Sequence, residues 1–349
     1  MIKPGGASTF QLYAAAIAIA AFVAFLLTPL VRQVALRLGL LDRPESSVKT
    51  HKIAVPALGG VAIWIGFATS LLIIRFLTTF PTGTLRNLRG LFVGSLIVFI
   101  LGVVDDVKKP SGLHFRSKFA GQTLAALALL HFDIRIEFLH PDYLAAALTV
   151  FWVVGITNAF NIIDIMDGLC ASQAAVAAGA FLLISLPSEQ IYVNFASASL
   201  LGAVLGYLPW NFSKSSKIFM GDSGSMVLGF VLASVAMGTA YTKFNPLGVY
   251  APLFILLVPM YDTFYVMGIR IRKGQSPFLG SKDHFALRLE AMGFGRHQIV
   301  ALASAAACVL SLCAFIITRV PWTWSCGIYL VLIAELTVLT RAISRVEMK

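Results

Sequence analysis

Apolar runs of about 20 residues recur along almost the whole 349-residue chain, separated by short segments that hold most of the charge. A bilayer core needs about 20 such residues per helical crossing, and backbone polar groups there must be satisfied within the segment. A polytopic all-α membrane protein follows. Eleven spans are predicted, at approximately 10–31, 57–79, 90–104, 118–132, 142–160, 168–186, 191–210, 223–241, 249–269, 297–318 and 322–340. Composition agrees, with 58% hydrophobic and 12% charged residues, far from an average soluble domain. No linker or low-complexity tract marks a boundary, so one domain over 1–349 is expected. The first run exceeds a signal-peptide core and reads as a retained anchor.

The formal charge of +11 would suit nucleic acid if it formed a block, but the bases fall between apolar runs. Positive-inside topology and phosphate ligands account for them better. Most of the 27 basic residues gather on one side when the loops after spans 1, 3, 5, 7 and 9 and the C-terminus face the cytoplasm. The N-terminus is then outside. Cys170, Cys308, Cys313 and Cys326 lie in or beside apolar runs without metal-type pairing and read as packing residues. One external segment, 133–138, alternates polar and apolar residues and predicts a small strand or hairpin.

The acids sort by side. Asp105 and Asp106 close the third span, Asp164 and Asp167 follow the fifth, and Asp222 opens the eighth, all on the cytoplasmic face. Carboxylates inside lipid are costly, so these residues belong at an interface or a wet cavity. If the fifth helix continues through Asn158, Asn161, Asp164 and Asp167, their spacing of three forms a polar stripe. Five carboxylates so close would repel unless a cation sits among them. Hard oxygen donors without a Cys or His cluster favour Mg²⁺, with Mn²⁺ as the alternative. Lys49, His51, Lys109, Arg116, Lys118, His284 and Arg288 surround the acids in the same loops. Metal, carboxylates and a basic rim describe phosphoryl transfer. A secondary transporter for an anionic solute is the alternative from another class. The Gly221-Asp-Ser-Gly-Ser225 run resembles a serine-protease loop, but a triad is established by geometry, and no aligned partners occur. Asp262, inside the ninth span, reads either as a structural acid paired with Tyr265 or with a base on another helix, or as a site residue.

The ordered motifs Leu101-Gly-Val-Val-Asp-Asp106, Lys118 with Gln122, Asn158-Ala-Phe-Asn-Ile-Ile-Asp-Ile-Met-Asp-Gly168 and Phe219-Met-Gly-Asp222 resemble those of the polyprenyl-phosphate HexNAc-1-phosphate transferases. The likeness spans residues 42 to about 297 and is nearest the UDP-GlcNAc:undecaprenyl-phosphate branch. It implies transfer of a HexNAc-1-phosphate, GlcNAc-1-phosphate as first choice, from a UDP donor to undecaprenyl phosphate. UMP would be released and a cell-envelope glycan initiated, at a bacterial inner membrane with the site facing the cytoplasm. By the same resemblance Asp222 would ligate Mg²⁺ with Asp164 and Asn161 beside it. Asp105 and Asp106 would handle the lipid phosphate, with Asp105 the base, and Phe219, Asp167 and Lys118 would recognise uracil. Lys109, His284 and Arg288 are candidates for diphosphate and sugar, and Lys49 and His51 for the lipid phosphate. A homodimer is left open. Where the GlcNAc branch carries a His-x-His-His-Arg run, this chain reads Asp283-His-Phe-Ala-Leu-Arg288. Another UDP-HexNAc or a diamino sugar is therefore the alternative donor. The translocase branch's His-His-His-Phe-Glu run is absent, which disfavours UDP-MurNAc-pentapeptide.

Overall fold

A computed structural model describes residues 3–4, 8–44, 53–188, 190–277 and 280–346. They pack as two compact units, Met1–Thr239 and Ala240–Lys349. The first holds eight helices: α1 (Thr9–Arg37), α2 (Gly59–Leu77), α3 (Thr82–Val107), α4 (Phe115–His131), α5 (Asp142–Ile163), α6 (Leu169–Ser185), α7 (Ile191–Phe212) and α8 (Asp222–Met237). The second holds α9 (Ala251–Ile255), α10 (Leu257–Arg272), α11 (Phe285–Ala291), α12 (Arg296–Ile317) and α13 (Trp322–Ser344).

In lipid, apolar contact barely distinguishes a neighbouring helix from an acyl chain, so close packing of small residues and interhelical hydrogen bonds hold the bundle. The first unit uses both. Ala16, Ala20 and Ala24 form a fully buried stripe on α1, and α7 approaches the same helix through Gly202 and Gly206. A Cβ at either glycine would sit 2.2 Å from a backbone carbonyl oxygen of α1, at Ile17 and Ala21 respectively. Across the same junction the Ser70 hydroxyl of α2 donates to Ala16 O at 2.8 Å, and it lies 3.0 Å from Ser199 Oγ. The Asn194 amide of α7 donates to Tyr13 OH at 3.0 Å. Such bonds are worth about 0.6 kcal/mol each on average. Their value here is register, since each joins two named turns.

Among the described residues eight helices are long and apolar enough to cross a membrane, or nine if one bent pair counts as a single span. Each predicted apolar run coincides with a helix. However, 118–132 and 223–241 become α4 and α8, of 17 and 16 residues, and 249–269 is broken. Pro246–Ile255 and Leu257–Arg272 meet at 69°, where Pro252 and Pro259 withdraw backbone donors on either side of the break.

The predicted strand at 133–138 does not form. Ile134 is buried, and the Ile136 N–H donates to the Thr149 hydroxyl at 3.0 Å, so its donor goes to a helix side chain instead of a ladder. Among the described residues four two-residue strands occur elsewhere. β1 (Lys3–Pro4) pairs with β4 (Thr78–Thr79), and β2 (Leu41–Asp42) with β3 (Val55–Pro56), both antiparallel.

Candidate active site

The last turn of α3 and the first turn of α8 build the centre. Asp106, whose side chain is fully buried, accepts from the Asp222 N–H at 2.9 Å through Oδ1 and from the Ser223 N–H at 3.0 Å through Oδ2. These donors are unpaired at any helix start and carry its partial positive charge, so a carboxylate there is stabilised. Gly221, immediately before α8, has φ +74° and ψ 176°. A Cβ at Gly221 would stand 2.4 Å from Asp106 Oδ2, so glycine is required for the carboxylate to reach the helix.

Two lysines cross-link the acids. Lys109 Nζ lies 2.8 Å from Asp106 Oδ1 and 3.5 Å from Asp222 Oδ1. Lys118 Nζ, from the first turn of α4, lies 3.0 Å from Asp105 Oδ1 and 2.5 Å from Asp222 Oδ2. Asp105 also accepts from the Leu113 N–H at 2.7 Å, which folds the α3–α4 connection over it. Burial opposes the charge on Lys109, but Asp222 and Asp106 outweigh it and raise its pKa above the ordinary lysine range. One oxygen from each of Asp105, Asp106 and Asp222 can lie within 4.8 Å of the other two. Three carboxylates and no sulfur or imidazole donor fit a hard divalent cation such as Mg²⁺.

The conditional stripe on the fifth span stops early, because α5 ends at Ile163. Asp164 takes φ −78° and ψ 58°, outside the helix. Gly168, at φ +77°, immediately precedes α6 and donates its N–H to Asn211 Oδ1 at 2.6 Å. Asn161 stays on α5, where its amide donates to Ser225 Oγ of α8 at 3.0 Å. Asn158 and Gln122 exchange side-chain amides, with the Asn158 amide donating at 2.6 Å. Burial, then repulsion from Asp222, pushes the Asp164 carboxyl up to about 7, against a partial opposing pull from Lys109.

Asp167 does not share a partner with Lys118. Its Oδ2 lies 2.5 Å from Lys217 Nζ, two residues before Phe219. The 217–220 segment is clamped by its backbone. Ile218 O accepts from Tyr207 OH and from the Asn211 amide, each at 3.0 Å. The Phe219 N–H donates to Pro56 O at 2.8 Å, and Gly59 and Gly60 donate back to Phe219 O and Met220 O at 2.9 and 2.8 Å. Lys217 had no sequence signal beyond its contribution to topology, since its partner is remote in sequence.

His284 and Arg288 lie in the second unit, both buried. His284 Nδ1 is 2.7 Å from Asp262 Oδ2, so Asp262 is paired with a histidine and not with Tyr265. Arg288 donates to Asp283 Oδ1 at 3.0 Å, to Asp283 O at 3.4 Å and to Val346 O. Its guanidinium also stands 5.5 Å from the Tyr265 ring centroid. Lys49 and His51 lie outside the described residues.

Carboxylates cross-linked by lysines at the ends of apolar helices suit the binding of phosphate groups and a divalent cation at a membrane surface. The profile of "Glycosyl transferase family 4" matches residues 88–240, which hold the whole carboxylate–lysine centre. A decaprenyl-phosphate N-acetylglucosaminephosphotransferase of Mycolicibacterium smegmatis is 30% identical over 315 residues, 81% of this chain and 76% of the relative. A probable undecaprenyl-phosphate N-acetylglucosaminyl 1-phosphate transferase of Bacillus subtilis is 28% identical over 333 residues, 93% of this chain and 90% of the relative. An undecaprenyl-phosphate alpha-N-acetylglucosaminyl 1-phosphate transferase of Escherichia coli is 27% identical over 294 residues, 80% of this chain and 77% of the relative. The chain belongs to this family and is a polyprenyl-phosphate N-acetylhexosamine-1-phosphate transferase.

Proposed function

We propose that the enzyme transfers GlcNAc-1-phosphate from UDP-GlcNAc to undecaprenyl phosphate, releasing UMP, at the cytoplasmic face of a bacterial inner membrane. The observation that carries this is the meeting of Asp105, Asp106 and Asp222 with Lys109 and Lys118 at bonding distance. The relatives' names support the acceptor and sugar. In an eleven-span topology with the N-terminus outside, that cluster lies on the base-rich side.

In the reaction, a lipid-phosphate oxygen attacks the β-phosphorus of the donor while the bond from that phosphorus to the α,β-bridging oxygen breaks, and UMP leaves with the bond electrons. A phosphate monoester is largely dianionic at neutral pH, so the acceptor is already a nucleophile. The difficulty is bringing two anions together, and fixed positive charge reduces it. Lys109 and Lys118 supply such charge here. Asp105 positions the acceptor and takes any residual proton. Asp222, whose carboxylate is grouped with those of Asp105 and Asp106, would hold Mg²⁺; Asp164 as a second ligand and Asn161 beside it rest on the family resemblance, and the ion when bound would neutralise the diphosphate oxygens. Asp106 keeps α8 and Asp222 in place. Phe219 offers a ring face to uracil and Asp167 an acceptor for its N3–H. Roles for Lys49 and His51 at the lipid phosphate, and for Arg288 at the diphosphate, rest on the family resemblance.

Mass spectrometry of the product tests the reading. Purified enzyme with UDP-GlcNAc, Mg²⁺ and undecaprenyl phosphate should give GlcNAc-diphospho-undecaprenol and UMP in equal amounts. Product from a different UDP-sugar alone would overturn the donor assignment, and no lipid product with any UDP-HexNAc would overturn the reaction.

A further inference from the structure

Gln122 is wholly buried on α4, on a face it shares with Ala125, Ala126 and Leu129. An amide there is costly to bury unless it is paired, and an apolar side chain would fill the space without that cost. Its partners come from two other helices. The Asn158 amide of α5 donates to Gln122 Oε1 at 2.6 Å, and Gln122 Nε2 returns a longer bond to Asn158 Oδ1 at 3.5 Å. The same Nε2 lies 3.4 Å from Met226 Sδ of α8. Asn158 is itself anchored, since its amide also donates to Val154 O at 2.8 Å. One turn separates this junction from the carboxylate–lysine centre. Lys118 precedes Gln122, and Asp222 precedes Met226, by one i,i+4 step, so each pair shares a helix face. Asn161 of α5 donates to Ser225 Oγ of α8 at 3.0 Å, which ties the third side of the triangle. Apolar packing alone lets a helix in lipid turn or slide against its neighbours, whereas a paired amide fixes both motions.

We infer that Gln122, paired with Asn158, is a positioning residue for the transfer: it sets the rotation and height of α4 so that Lys118 Nζ falls between Asp105 and Asp222, at 3.0 and 2.5 Å. The inference rests on the reading that Lys118 supplies positive charge to the reaction. Gln122→Met removes the amide while nearly keeping length and volume, and Asn158→Leu does the same from the other helix. Two interhelical bonds of average strength in a membrane bias such a placement about eightfold. Misplacement by about 1 Å near the chemistry costs about 100-fold in rate.

Lysine accessibility reads the placement directly. Full-length protein in detergent is treated with trinitrobenzenesulfonate, and modification of Lys118 and Lys109 is followed by mass spectrometry. Lys109 is the internal reference, because it follows α3 and is held by Asp106. In Gln122→Met, Lys118 should react about eightfold faster than in the wild type while Lys109 keeps its rate. Turnover should fall between about eightfold and about 100-fold. Asn158→Leu should give the same selective exposure of Lys118, and it carries the test if Gln122→Met does not fold. The double variant should match the worse single variant, because the two amides act as one pair. Unchanged labelling of Lys118 in a folded variant, equal rises at Lys118 and Lys109, or additive losses in the double variant would overturn the proposal. Selective exposure of Lys118 with undiminished turnover would instead refute the role of Lys118 in the transfer.

Discussion

Replacing Gly221 by alanine should disable the centre through Asp106, although it removes no functional group. The new Cβ would lie 2.4 Å from Asp106 Oδ2 and 2.8 Å from Oδ1, whereas ordinary contact begins at 3.4 Å. The carboxylate must therefore retreat by about 1 Å, because α8 begins at the next residue and its backbone has little freedom to yield. Such a retreat breaks the bonds to the Asp222 and Ser223 N–H groups, now 2.9 and 3.0 Å long. Each hydrogen bond to a charged group contributes about 1.5–3 kcal/mol, and the φ,ψ region of Gly221 costs another residue about 1–3 kcal/mol. Taking the low end of each gives a loss of about 4 kcal/mol. Misplacement by 1 Å near the chemistry costs about 100-fold in rate. Gly39→Ala is the control, since Gly39 has φ +69° and an added methyl group there would meet nothing within 4 Å. It should lose only about 1–2 kcal/mol of backbone strain and keep its rate. Thermal unfolding in detergent and initial transfer rates measure both effects. If Gly221→Ala matched Gly39→Ala in stability and kept near-normal turnover, the bond from Asp106 to the start of α8 would not organise the site.

Three further outcomes are expected. Because the Asp164 carboxyl is raised from 3.8 to about 7, its protonation stabilises the metal-free protein at low pH, and that contribution is lost as pH rises through about 7. Mg²⁺ bound by Asp164 displaces the proton, so affinity should climb up to about tenfold per pH unit below 7 and then level off; a pH-independent affinity, or an unchanged slope in Asp164→Asn, would remove Asp164 as a ligand. Direct attack by the lipid phosphate predicts no exchange of labelled UMP into UDP-sugar without lipid, and robust exchange with a phosphosugar trapped on Asp105 or Asp106 would establish a two-step route. Ala286 and Leu287 offer no side-chain hydrogen bonds and are buried in α11, so competition among UDP-GlcNAc, UDP-GalNAc and a UDP-diamino-sugar should show relaxed choice; strict UDP-GlcNAc preference would show that neither position reads the sugar.

Much of the first unit was legible because its signals are local. Apolar runs foretold helices, and acids at the ends of those runs foretold where Asp105, Asp106 and Asp222 would stand. Contacts across long sequence separations were not legible. Lys217 reaches Asp167 because Tyr207 and Asn211 hold Ile218, and Lys118 joins Asp105 to Asp222 because α4 starts beside both. Asp262 could be recognised as a costly intramembrane acid, but its partner His284 lies beyond the end of α10. Alternation at 133–138 misled because a strand needs a neighbour, and the Thr149 hydroxyl took the donor instead.

The most direct test of the carboxylate–lysine centre is transfer of β-³²P from UDP-GlcNAc to undecaprenyl phosphate, measured with Mg²⁺ and with EDTA, for wild type and Asp222→Asn. Labelled lipid should form in the wild type with Mg²⁺ and vanish with EDTA. Asp222→Asn, equally folded in detergent, should form none under either condition. Labelled lipid at wild-type rates in EDTA, or from Asp222→Asn with unchanged Mg²⁺ dependence, would contradict the assignment of this cluster as the metal-assisted transfer site.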